Sequence, residues 1–398
     1  MKTLGLPLLL LLIVVSAIGP MTLNGVLPAT TAIMLELNTP YEMAQLVLTI
    51  FLLASLISQL VLGPAADRFG RRPIMLLGLC VFVVGSLVCA AAMSIEWLLF
   101  GRFIQGVGGA VCVFLPRTIV RDVFSRDRAA SVIGYMTTAM MVAPLFGPAV
   151  GGWVTDLYSW RYMYAGLAAL SSLLILFAWL HQVETLASKQ VGATAEPRGE
   201  SMMSSSMILL RNPRFLACAC MQAGAVGVYY AFLAGAPYVA MESRGLSASS
   251  YGIWFAMVAT GYLSGNLIAG KFSERYGVER MILWGFVPFA IGVSLFWILS
   301  PFSHPISLFL PMQLVAFSNG VSLPSMISVA MSIQPKLAAS ASGLAGSMQT
   351  AFGVILTFMV GYLLPFGDSW LFVLLSISAC LSVWGLWLTR QQQRLATA

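Results

Sequence analysis

At 398 residues, with a mean hydropathy of +0.89, 59% hydrophobic residues and 9% charged ones, the chain is too apolar for an ordinary soluble domain, where roughly a quarter of residues are charged. The formal charge of +7 suggests a nucleic-acid partner until it is mapped. Of the 21 lysines and arginines, Arg161 and Arg244 fall on one side of the apolar runs and Arg102 and Arg117 lie inside the fourth run; the other 17 share the side of the N-terminus, the positive-inside pattern of a polytopic membrane protein with both termini in the cytoplasm.

Twelve apolar runs lie near 5–35, 43–65, 74–94, 97–120, 129–154, 161–181, 213–240, 248–270, 279–299, 305–331, 338–364 and 369–389. They are about 20 residues or longer and do not alternate, so they predict membrane-spanning helices and not barrel strands. The fold class expected is an all-α membrane protein of twelve transmembrane helices.

The first run begins like a secretory signal peptide, with Lys2, Leu6 to Val15 and then Ser16-Ala17. Apolarity continues to Met34, which favours a spanning helix. Its second half carries Pro20, Asn24, Gly25, Pro28 and Glu36, an interrupted polar stretch of the kind tolerated where neighbouring helices or water satisfy the freed backbone groups. In the second run Ala54 and Ser58 stand four apart, a spacing that lets helix backbones approach closely.

Between the second and third runs the segment Gly63-Pro-Ala-Ala-Asp67-Arg68-Phe-Gly70-Arg71-Arg72 predicts a tight turn at the membrane surface. Asp67 is expected near a helix N-terminus, where negative charge is favoured, with the arginines on its carboxylate or on lipid phosphates. The plain alternative is a positive loop with no further role. A second copy, Gly270-Lys-Phe-Ser-Glu274-Arg275-Tyr-Gly277, lies 207 residues on, pairing 63 with 270, 67 with 274 and 70 with 277. Glycine, acid, arginine, aromatic and glycine in one order at one offset point to an internal duplication, and an acid repeated in a loop that needs only positive charge is unexpected there.

Arg102 in the fourth run precedes Gln105-Gly106-Val-Gly108-Gly109. An arginine at the centre of a span costs at least ~2.5 kcal/mol on insertion scales, so it is expected to face the bundle interior or water, the alternative being snorkelling to the outer surface. The fifth run reads Ala143-Pro144-Leu-Phe-Gly147-Pro148-Ala-Val-Gly151-Gly152. Its glycines make a close-packing face and its prolines bend it, either as a static kink or as a sliding contact. The six cysteines all fall in apolar runs and the two histidines near run ends, so no metal site is expected.

A polar segment from Gln182 to Arg211 joins the two repeats and is read as a cytoplasmic linker, partly helical or disordered. The expected organisation is an N-terminal six-helix bundle (1–181), a linker (182–212) and a C-terminal six-helix bundle (213–398). Polar and aromatic groups inside the runs are candidates for lining a substrate cavity: Asn24, Gln105, Tyr135, Gln222, Tyr229, Tyr230, Trp254, Asn319 and Gln349.

Taken in order, Gly63-x-x-x-Asp67-Arg68-x-Gly70-Arg71-Arg72, Arg102 with Gln105-Gly106, and Pro144-x-x-Gly147-Pro148-x-x-Gly151-Gly152 resemble the signature motifs of twelve-helix drug/proton antiporters of the major facilitator superfamily. Leu27-Pro28, Val120-Arg121-Asp122, Trp160-Arg161 and Glu184-Thr185-Leu186 are similar to its Bcr/CflA branch, which exports chloramphenicol-type drugs, sulfonamides and bicyclomycin. The resemblance implies two pseudo-symmetric six-helix bundles in a bacterial inner membrane, alternating access and a proton gradient as energy source, with no cofactor. It also implies that Asp67 acts as a latch near Pro335-Lys336. The expected partners are a small-molecule substrate and membrane lipids, not nucleic acid, and the expected state is a monomer.

One departure stands out. The branch usually has an aspartate before the Leu-Pro of helix one, where this chain has Asn24, which hydrogen-bonds but cannot titrate. Glu36 is the nearest remaining carboxylate, ~18 Å further along the helix and so expected at the outer interface, and is grouped with Arg102 as a coupling or cavity charge. Neutral or anionic substrates are therefore expected over cations. Rival readings are an importer or facilitator of a nutrient, metabolite or siderophore, and a membrane-embedded lipid-modifying enzyme. The enzyme is opposed by the lack of a carboxylate near the centre of any span.

Overall fold

The computed structural model describes residues 6–123, 132, 136, 140, 142–182, 184–185, 202–334 and 337–397. Among them the chain is helical throughout: α1 (Leu6–Val26), a 3₁₀ turn (Leu27–Ala29), α2 (Thr30–Glu36), α3 (Tyr41–Phe69), α4 (Arg71–Ala90), α5 (Ile95–Val123), α6 (Val142–Leu157), α7 (Trp160–His181), α8 (Met202–Leu210), α9 (Pro213–Pro237) with a π turn (Tyr238–Ser243), α10 (Ala248–Tyr276), α11 (Val278–Leu299), α12 (Ile306–Ser332), α13 (Ala338–Leu363), a 3₁₀ turn (Leu364–Phe366) and α14 (Ser369–Thr397). With no water in a bilayer core, a helix is what satisfies every backbone group of an apolar run from within. Eleven of the described helices are long and apolar enough to cross a membrane. Twelve were expected, and the fifth run is described from Val142 onward as the 16-residue α6.

Helix ends follow local chemistry. Ser159 caps α7, accepting from the Arg161 N–H at 3.3 Å, and Asn212 caps α9 through the Arg214 N–H at 2.9 Å, with Pro213 at the first helical position. Within the expected linker, 202–210 is helical and Leu209 is fully buried, while residues 186–201 lie outside the described set.

The chain divides into two units, Met1–Glu196 with Leu246–Ile253, and Pro197–Gly245 with Trp254–Ala398. In the first, one apolar cluster forms around Leu12, Met75, Phe82, Val111 and Leu115, and a second around Val26, Ile33, Leu98, Trp160 and Tyr164. Large apolar side chains left on helix surfaces, such as Leu173, Leu176 and Trp179 of α7, are what a lipid-facing surface requires.

The duplication extends into the packing. Gly78 and Gly85 of α4 stand against α5 at Val111 and Gln105, and Gly285 and Gly292 of α11, each 207 residues on, stand against α12 at Ser322 and Pro311. Ala54 of α3 meets Gly106 of α5, and its counterpart Gly261 of α10 meets Gln313 of α12. The small residues of the second run are therefore helix-packing contacts.

Candidate functional site

The expected ten-residue turn from Gly63 to Arg72 is reduced to one residue. Helix α3 continues through Gly63 to Phe69, Gly70 alone breaks the chain at φ +103°, and α4 starts at Arg71. Gly63 was read as a turn glycine because glycine is the default residue of tight turns, yet long membrane helices tolerate it in their interior. Gly70 is required twice over: its backbone lies in the left-handed region, and a Cβ there would stand 2.5 Å from Glu184 Oε2. That carboxylate caps α4, accepting from the backbone N–H groups of Arg71 (2.9 Å) and Arg72 (3.1 Å), two of the donors a helix start leaves unpaired. Glu184 is thus the carboxylate at the start of α4; Asp67 lies in the last turn of α3 with its side chain outside the described residues. The Pro335-Lys336 end of the expected latch lies outside them too.

The arginines of the junction bind groups from distant helices. Arg71 Nε donates to Asp122 Oδ2 of α5 at 2.9 Å, both side chains almost fully enclosed (6% and 1% exposed), and Arg72 Nη2 donates to the Trp179 carbonyl of α7 at 2.7 Å. The second copy keeps the break, Gly277 at φ +80°. Its charges differ: Val278 and Glu279 stand where Arg71 and Arg72 stand in the first, and Glu274 and Arg275 are exposed, Arg275 lying 5.4 Å over its neighbour Tyr276. Removing one partner of a buried pair leaves the other charge uncompensated, ~3–5 kcal/mol, whereas a carboxylate at a helix start contributes ~0.3–1 kcal/mol, up to ~2 when partly buried. Asp122→Asn is therefore expected to lower the melting temperature of the purified protein clearly more than Glu184→Gln, measured by differential scanning fluorimetry; the reverse order would assign the junction's stability to the cap.

Arg102 is 1% exposed, so it does not snorkel. Its Nε donates to the Val47 carbonyl of α3 (2.8 Å) and its Nη1 to Gln105 Oε1 (2.7 Å). Gln105 Nε2 donates in turn to Ser86 Oγ of α4 at 2.8 Å. The guanidinium lies 4.5 Å over the Phe51 ring and 5.8 Å from the Tyr164 ring of α7. A buried cation is thus held by neutral acceptors and aromatic faces from three helices, with no carboxylate against it among the described residues. Gln105, read as a cavity candidate, sits in this network fully buried and orients Arg102.

Glu36 does not share that environment. It ends α2, pairs with Arg161, accepts from Trp160 Nε1 at 2.6 Å and is 47% exposed. Arg161 also donates to the Ala92 carbonyl at 2.7 Å and lies 4.3 Å over the Trp160 ring. Its grouping with Arg102 as a cavity charge is corrected to an ion pair at the bundle's end.

The glycine face of α6 meets α1 at Asn24-Gly25. A Cβ at Gly147 would lie 3.4 Å from Asn24 Cβ, and one at Gly151 would overlap the Gly25 carbonyl oxygen. Gly152 stands as close to the Ala248 carbonyl, within the same unit. Pro148 lies inside α6 and Pro144 near its described start. Asn24, 4% exposed, donates to the Pro20 carbonyl of its own helix at 2.9 Å.

In the second unit Gln222 donates to the Met326 carbonyl and Asn319 to the Ala225 carbonyl, both at 3.1 Å, a reciprocal pair of bonds between α9 and α12 that buries both side chains. The Tyr229 and Tyr230 rings lie 6.2 Å apart, with Gly353 of α13 against Tyr230. Trp254 stacks on Phe309 at 6.1 Å, and Gln349 is half-buried on α13. Tyr135 lies outside the described residues. Among these candidates, Tyr229, Tyr230, Trp254 and Gln349 retain exposed surface, whereas Asn24, Gln105, Gln222 and Asn319 are enclosed by helix packing. Sequence reading missed Asp122, Phe51 and Tyr164 as partners of the buried arginines; among the described residues no cluster fits a metal ion.

Comparison with known proteins follows this geometry. The Major Facilitator Superfamily profile matches residues 9–357, with a second match over 228–397. Multidrug resistance protein D of Escherichia coli (strain K12) is 27% identical over 389 residues, 94% of each chain, and the bicyclomycin resistance protein homolog of Haemophilus influenzae is 25% identical over 372 residues, 87% of each. Among solved structures, a D-xylose-proton symporter superposes with a TM-score of 0.77 at 14% identity, covering 96% of this chain and 97% of its own.

Proposed function

The chain belongs to the Major Facilitator Superfamily, and on that premise we propose that it is a secondary active exporter of small amphipathic compounds, working by alternating access between two six-helix bundles. The observation that carries this reading is similarity over 94% and 87% of both chains to proteins named for multidrug and bicyclomycin resistance. The symporter's likeness at 14% identity speaks for the fold and not for the direction of transport.

The charge layout narrows the substrate. Arg102 is a buried cation of the first unit with no carboxylate against it among the described residues, whereas the buried Arg71 is paired with Asp122; Asn24 replaces a titratable group, and Glu36 is occupied by Arg161. Neutral or anionic molecules suit such an interior better than cations do. Proton coupling belongs to the same proposal, with no helix-one aspartate to carry it. Expression in a strain stripped of its own efflux pumps is expected to raise resistance to uncharged amphenicol-type drugs severalfold and resistance to ethidium hardly at all. Equal protection against both would remove the charge argument.

The orientation is part of the proposal and rests on the lysine and arginine bias. In a cysteine-free version, single cysteines at Ser94 and Ser303 are expected to react with an impermeant thiol reagent added outside intact cells, and one at Ser204 to stay unreacted. The opposite pattern would invert the topology.

A further inference from the structure

Beside Arg102 lies a small cavity, about 20 Å³ in volume, between the broken part of helix one and the start of α3. Its wall includes Leu27, Thr30, Gln45, Val47, Leu48 and Arg102. A void of roughly 10–15 Å³ admits one water-sized sphere, so this one has room for a single water or a small ion.

Seven of the ten wall residues are apolar, and the polar side chains are those of Thr30, Gln45 and Arg102. Two N–H groups of the Arg102 guanidinium are taken by Val47 and Gln105, and no other hydrogen bond or ion pair involves this side chain among the described residues. Gln45, 4% exposed, receives the Tyr41 hydroxyl on Oε1 at 3.4 Å, while its Nε2 is buried with no partner among the described residues. The Thr30 hydroxyl donates to the Leu27 carbonyl at 2.8 Å, leaving its oxygen as the wall's side-chain acceptor. No carboxylate lines the cavity, and Glu36 is engaged with Arg161. A buried guanidinium and an unpartnered amide N–H line the same small void, with no carboxylate among its lining, and so lack a negative charge.

We propose that this cavity binds a small monovalent anion, chloride in the cell, between the Arg102 guanidinium and the Gln45 amide. The ion balances Arg102 inside the first unit and is separate from any transported substrate, which the void is too small to hold.

The purified full-length protein tests this directly. Its melting temperature is expected to be higher in sodium chloride or bromide than in sodium gluconate of equal ionic strength, rising by an equal increment for each tenfold increase in halide above the dissociation constant. Gln45→Glu places a carboxylate where the ion sits and is expected to abolish the halide response. Crystals grown in bromide need no variant, and an anomalous peak is expected between Arg102 and Gln45. Identical melting in chloride and gluconate, a full halide response in Gln45→Glu, or a water at that position with no bromide signal would each overturn the proposal.

Discussion

Arg102→Ala is expected to reduce transport by at least about tenfold in a protein that still reaches the membrane, and Arg102→Lys to restore only part of it. A tenfold change corresponds to ~1.4 kcal/mol, less than the ~2.5 kcal/mol or more that a charged side chain costs inside a span. The protein accepts that cost with no carboxylate beside the guanidinium, so the charge is held for a purpose other than folding. Alanine leaves Gln105 Oε1 without its donor, a loss of ~1–3 kcal/mol that the removal of a buried charge offsets, so expression survives. Lysine keeps the charge but, lacking the planar fork, cannot donate to Val47 and Gln105 while lying flat over Phe51. Full activity of Arg102→Ala in a flux assay would reduce the residue to a packing element.

Gly151→Leu is expected to abolish transport and lower expression, with Gly151→Ala already strongly impaired. A Cβ there overlaps the Gly25 carbonyl oxygen, and the obstruction is backbone, which cannot rotate away as a side chain end can. Overpacking costs ~1–3 kcal/mol where side chains adjust, and more is expected where α1 must move bodily. Gly147→Ala, which meets Asn24 at 3.4 Å, is expected to be mild, and Gly166→Ala, with nothing within 4 Å, to be silent. Graded impairment in the order Gly151, Gly147, Gly166, read as transport per folded protein, supports a close α1·α6 contact. A functional Gly151→Leu would mean that the contact opens at no cost.

How much of this was legible beforehand depends on the range of the interaction. Helix-forming runs and the 207-residue repeat are local patterns, and the glycines at 78 and 285 and at 85 and 292 show that the repeat reaches into the packing. The cap on α4 was not legible, because Glu184 lies 113 residues from Arg71, and neither was the Arg71–Asp122 pair, 51 residues apart. The Val47 acceptor of Arg102 is a backbone carbonyl, which no residue type announces. Gly63 misled because glycine serves turns and helix packing alike. Polar groups such as Gln222 and Asn319 misled because a buried amide that bridges two helices has the same one-letter signature as one that lines a cavity.

The central claim, that a bundle with Arg102 buried and no carboxylate against it exports uncharged compounds, is tested most directly by flux in proteoliposomes. The purified protein is reconstituted and loaded with a radiolabelled amphenicol or with ethidium, with and without an imposed pH gradient. Net movement of the neutral drug well above protein-free vesicles, weakly changed by the gradient and lost in Arg102→Ala, is the result predicted. Robust gradient-driven ethidium transport that disappears in Glu36→Gln would contradict both the charge argument and the place given to Glu36.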